Sequence, residues 1–165
     1  MQNSKPSLLS TDWKTVLALA GGGIAIWYFV IKPDSDKEDE KKEDEITDLM
    51  KSTKYIAAMS DNFGLKAIKK LGYTSVNTYL EKKGLSTKKL QLQAKQIYDS
   101  AGTFNDDEDS LYNVFRDIKN IIICSILTKV FLLQHNADLN SYLSGFLNTE
   151  EMGKIAKIIN SKPMQ

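Results

Sequence analysis

The run VLALAGGGIAIWYFVI, Val16 to Ile31, holds sixteen residues without a charge or a strongly polar group. It limits what the rest of the chain can be. A helix crossing a bilayer needs about 20 predominantly apolar residues, with roughly 17 as the lower limit. Thr15 lengthens the run, and Trp13 at one end with Trp27 and Tyr28 at the other suit the interfacial aromatic belts. Lys14 and Lys32 flank it and can carry their ammonium groups to the headgroups. Gly21, Gly22 and Gly23 would weaken a helix in water, whereas in lipid small residues let helices approach closely. A cleaved secretory signal fits less well. Ala18-Leu19-Ala20 lies inside the run, and the run ends in bulky Trp-Tyr-Phe-Val-Ile. A helix buried in a soluble globule is the other reading.

The sequence thus predicts a polar tail over 1–12 and a transmembrane helix over 13–32, with the lipid bilayer as first partner. Lys32, Lys37, Lys41, Lys42 and Lys51 follow the run within about 20 residues, against Lys5 and Lys14 before it. Counted by positive charge, the C-terminal side is the cytoplasmic or equivalent inner face. The expected location is a cellular inner membrane or the internal membrane of a virion.

Charge then divides the chain. Residues 1–45 carry a net −3 and residues 46–165 a net +4. Residues 33–46, opened by Pro33 and almost wholly charged, read as a solvated linker or surface helix in which lysines already compensate the acids. Beyond them, 47–165 read as an all-α domain, because apolar residues recur at helical spacing and no segment alternates with period two. Short helices are expected over 47–59, 64–71 and 75–83, with Gly72 and Gly84 as breaks. Ser86 caps a helix whose inner face is Leu90, Ala94, Ile97, Tyr98 and Ala101, stopped by Gly102. Leu111, Val114, Phe115 and Ile118 make the next stripe. Asp138 caps a third helix, and Asn148 with Glu151 forms a capping-box pattern before a fourth, which ends ahead of Pro163. Ile121 to Gln134 is apolar nearly all round but too short to span a membrane, so it is the expected central buried helix, with Cys124 as a small core residue.

Asn105, Asp106, Asp107, Glu108 and Asp109 stand before the Leu111 stripe. A calcium loop of the EF-hand kind started at Asn105 would put Asp107 and Asp109 in register. It would also put Ser110 where glycine is needed and Arg116 where the bidentate glutamate belongs. Helix capping explains the cluster more simply. Asn105 or Asp106 accepts free N–H groups, and each acid in the first turn opposes the helix dipole for about 0.3–1 kcal/mol. A weak cation site is the lesser reading. One histidine and one cysteine leave too few ligands for a zinc site. No nucleophile elbow, zinc-protease helix, phosphate loop or dinucleotide fingerprint occurs, so no enzyme activity is expected.

Here the sequence resembles a family. Asp107-Glu108-Asp109-Ser110-Leu111 followed by Asp138-Leu139, Leu143 and Leu147 is similar to an annexin repeat, of the single-repeat kind in bacterial and phage-encoded proteins. The annexin pattern runs G-x-G-T-[DE]-E-D-x-[IL]-x-x-[VI]-L, then D-L-x-x-x-L-x-S-x-L. The resemblance covers about residues 86–161 and implies a right-handed bundle of about five helices, with the preceding helices added on. It does not bring calcium with it. Aligned on the acids, the family's two glycines fall on Thr103 and Asn105, and its distant carboxylate falls on Phe146, which cannot ligate a hard cation. No metal or cofactor is expected.

Lys66, Lys69, Lys70, Lys82, Lys83, Lys88, Lys89 and Lys95 face Glu81 alone over residues 66–95. Such a bias reads either as solvated helix faces or as a surface for an anionic partner, lipid headgroup or nucleic acid. The expected function is therefore a membrane-anchored structural or interaction protein. Its helical domain would engage a protein partner, another copy of itself, or the membrane surface. A membrane-associated phage virion component is the specific form that the family association suggests. The alternative is a nucleic-acid tether using the lysine segment. A membrane-tethered hydrolase using the Asp106–Asp109 carboxylates is a third reading.

Overall fold

The computed structural model describes residues 37–101 and 108–165, and among the described residues there is no strand. The helices are α1 (Lys37–Lys51), α2 (Thr53–Met59), α3 (Phe63–Lys70), α4 (Val76–Lys82), α5 (Thr87–Ser100), α6 (Glu108–Asp117), α7 (Ile121–His135), α8 (Leu139–Ser144) and α9 (Thr149–Asn160). The transmembrane segment expected over 13–32 lies outside the described residues. Among the described residues, no helix is long and apolar enough to cross a membrane.

Short polar side chains start most of these helices. The side chains of Ser52, Ser75, Ser86, Asn120, Asp138 and Asn148 each accept the backbone N–H three residues on. Each thus satisfies a donor that helix geometry leaves free. At α9 the box is complete, since the Glu151 carboxylate accepts the Asn148 N–H in return at 2.8 Å.

α7 is the axis. Every side chain from Ile121 to Thr128 is buried, and α2, α3 and α5 pack around it. Two of those buried side chains are hydroxyls, and both serve the end of α2. Thr128 Oγ1 donates to the Ala58 carbonyl at 2.9 Å, and Ser125 Oγ donates to the Ser60 carbonyl. The last carbonyls of a helix have no partner of their own, so a hydroxyl from a neighbour removes the penalty of burying them. Ser125 Oγ also accepts the Gly64 N–H at 2.7 Å. This is possible because Gly64 lets α3 run close beneath α7. A Cβ there would lie 2.8 Å from the Ile122 carbonyl oxygen and 2.9 Å from Ile126 Cγ1. Lys129, which breaks the apolar run, is neutralised by Asp61 at 2.9 Å in a half-buried pair.

A second group forms around α9, which packs on α1, α2 and α6. The charged stretch after Pro33 is helical from Lys37, and its last turns are docked. Ile46 is buried over Gly153, where a Cβ would meet Ile46 Cγ1 at 2.7 Å. The expected helix over 47–59 is instead the end of α1 and all of α2, broken at Ser52, whose backbone is extended (φ −62°, ψ 147°). Asn160 holds the break. It accepts Ser52 Oγ at 2.5 Å, donates to the Leu49 carbonyl at 2.9 Å and takes the Lys54 ammonium on its own carbonyl at 2.9 Å. Past α9, buried Lys162 donates to the Arg116 carbonyl at 3.1 Å and so caps the end of α6, and the Ile121 N–H reaches the Pro163 carbonyl. Among the described residues, the stretch 86–161 forms α5 to α9 and the stretch before it α1 to α4.

Candidate anionic-partner surface

The lysines of residues 66–95 sort by what each has around it. Lys69 and Lys70 sit in the last turn of α3, and Lys82 in the last turn of α4. There the negative end of the helix dipole favours a cation by about 0.3–1 kcal/mol, so local stability accounts for them. Lys83 caps α4 and holds its ammonium 5.7 Å from the centre of the Tyr79 ring. Lys95 pairs with Asp99 at 2.5 Å, in an exposed i,i+4 bridge that contributes little. Lys66, one turn before the end of α3, is exposed.

Lys88 and Lys89 are different. They occupy the first turn of α5, which contains no acid. That is the positive end of the dipole, where lysine is the wrong sign. Neither is buried, and the start of the helix is otherwise well made. Ser86 caps it, and the Thr87 hydroxyl donates to Asn77 Oδ1 at 2.6 Å, tying it to α4.

The turn between α4 and α5 brings these charges together. Gly84 takes the left-handed conformation the turn requires (φ +70°). Lys119, from the junction of α6 and α7, donates its ammonium to the Lys83 carbonyl at 2.6 Å. Lys82, Lys83, Lys88, Lys89 and Lys119 therefore gather at one corner, with Glu81 as the acid within 81–89 and the exposed Asp117 two residues before Lys119. Lys119 lies 24 positions beyond Lys95 and enters the patch only through tertiary packing. Its position in the sequence carries no signal of this. Beside the corner a groove between α5 and α6 is lined by Lys89, Leu92, Val114 and Asp117.

Glu108 and Asp109 lie in the first turn of α6, where acids oppose the dipole, while Asn105, Asp106 and Asp107 lie outside the described residues. The anchor residues Trp13, Lys14, Gly21, Gly22, Gly23, Trp27, Tyr28 and Lys32 also lie outside them. Among the described residues, no three histidine, cysteine or acidic side chains group as a metal site would need. Cys124 is fully buried, and burial pushes its thiol up to about 12, which makes it an inert core residue. Burial likewise raises the Tyr79 hydroxyl, and its Asn120 partner only partly offsets this.

A search of protein-family models finds no match to this chain. No curated protein matches it, and no solved structure matches it.

Proposed function

We propose that this chain is a membrane-anchored structural protein whose helical domain docks on anionic lipid headgroups through the α4–α5 corner. The observation that carries the reading is the pair Lys88 and Lys89, placed where the helix dipole disfavours them and where nothing buried needs them. Breaks of a local rule are expected at functional or strained sites, and the backbone at the start of α5 shows no strain, with Ser86 in an ordinary extended cap. Magnitudes fit a tethered contact. Five lysines at about 1 kcal/mol each near an anionic surface give ~5 kcal/mol, a Kd of roughly 0.2 mM. That is weak for a free protein. An anchor in the same chain raises the effective concentration to the millimolar range, which is enough to keep the corner docked.

The test uses the full chain in lipid nanodiscs, with amine-reactive labelling read by mass spectrometry. Lys82, Lys83, Lys88, Lys89 and Lys119 are expected to be protected in anionic discs at low salt, and to be labelled freely in neutral discs or at high salt. The variant K88E/K89E separates function from stability, because the two move in opposite directions. It places acids at the start of α5 and should raise stability by about 0.3–1 kcal/mol per site. It should also abolish the protection. Equal labelling in neutral and anionic discs would defeat the lipid reading. Protection by added duplex DNA in neutral discs, steeply lost with salt, would transfer the surface to nucleic acid.

A further inference from the structure

We propose that His135 is a proton-operated latch holding the corner where α5, α7 and α8 meet. This stands apart from the lysine surface and does not depend on it. The chain has one histidine, and its ring is built into a stack. It lies parallel to Tyr98, with centroids 4.1 Å apart and 5° between the planes, and Tyr98 lies against Tyr142 at 5.3 Å and 16°. Phe131 closes the stack from the core side, 4.9 Å from His135 and 5.1 Å from Tyr142. The Tyr142 hydroxyl donates to the Tyr98 carbonyl at 2.7 Å. The stack and that bond together hang α8 on α5.

The sensitive atom is His135 Nε2, which is shut off from solvent and has no hydrogen-bond partner. A neutral ring can leave a bare lone pair there. An imidazolium must put a charged N–H donor at the same place, where the Ala94 carbonyl helps only weakly and no acceptor is in hydrogen-bond geometry, and a buried donor so poorly met is costly. The charges facing the ring do not make up for this. From α5, Asp99 favours the cation and Lys95 opposes it, and the two are bound to each other at 2.5 Å. α8 offers the uncharged Tyr142, and Asp138 is engaged in capping α8 through Ser141. The last turn of α7 carries no charge besides the histidine itself. Its dipole favours a cation modestly, as does the Ala94 carbonyl.

Burial outweighs these groups and holds His135 below its ordinary value of 6.5. The sign follows. The folded corner keeps the ring neutral while the opened corner takes the proton first. The stack's contribution is therefore intact above the ordinary histidine range and declines as pH falls through it. Opening would bare the fully buried Phe131 together with Tyr142 and so create an apolar patch in mild acid.

The experiment again uses the full chain in nanodiscs. The lone histidine gives an unambiguous ring resonance, expected to titrate below the ordinary value. Amide exchange over residues 130–146, normalised to α9, is expected to lose protection between neutral and mildly acid pH. In the H135Q variant, which cannot take the proton, that ratio is expected to stay flat. A ring that titrates at or above the ordinary value would overturn the proposal. So would unchanged protection in the wild type, or an equal loss in H135Q. Should H135Q fail to fold, the two wild-type measurements decide.

Discussion

The substitution Gly64→Val is expected to remove about 3 kcal/mol of stability, as the sum of two effects of comparable size. The first is steric. The new Cβ would stand 2.8 Å from the Ile122 carbonyl oxygen and 3.2 Å from the Ile126 nitrogen, which are backbone atoms of the central helix and cannot swing aside. The second is the bond from the Gly64 N–H to Ser125 Oγ, 2.7 Å long and buried, which is lost if α3 moves away to make room. A domain of this size has a total stability of about 5–15 kcal/mol, so the loss is severe. Urea unfolding of the full chain in detergent, followed by far-ultraviolet circular dichroism, measures it. Gly72→Ala is the contrasting control. Open space surrounds Gly72, but its φ is +81°. Its loss should therefore reflect left-handed backbone strain alone, about 1–2 kcal/mol.

Phe131→Ala is expected to have a still larger effect, about 3–5 kcal/mol, the usual range for a fully buried aromatic cut back to alanine. Its neighbours are unusually committed: Tyr98 at 6.5 Å, Tyr142 at 5.1 Å and His135 at 4.9 Å all take their positions from this ring. The same unfolding experiment gives the magnitude. Below the unfolding range, the histidine resonance gives a second reading. Removing the ring admits water to the stack, so the His135 titration should move upward toward its ordinary value. A loss under about 1 kcal/mol, with an unmoved histidine, would mean that the stack stands without its base.

What could be read in the sequence was local. Ser86, Asp138 and Asn148 announce helix starts because capping depends on residues three apart. Ile121 to Gln134 announces a central helix because no face of it could be left in water. What could not be read was set by distant partners. The break at Ser52 depends on Asn160, 108 positions away. Helical spacing places Tyr98 on the inner face of α5, yet it is 45% exposed. It is turned outward by its place between His135 and Tyr142, which no helical periodicity encodes. The basic segment was legible as composition. Which lysines are spoken for, and that Lys119 joins them, emerges only from helix ends and packing.

The proposed tether requires the apolar run Val16 to Ile31 to stay in the chain and lodge in lipid. The direct measurement is alkaline carbonate washing of membranes from cells producing the full-length chain. Retention in the washed membrane pellet, as an integral protein is retained, is the result expected here. Release into the supernatant would mean that the leader does not span a bilayer, and the tethered-adaptor reading would fall with it.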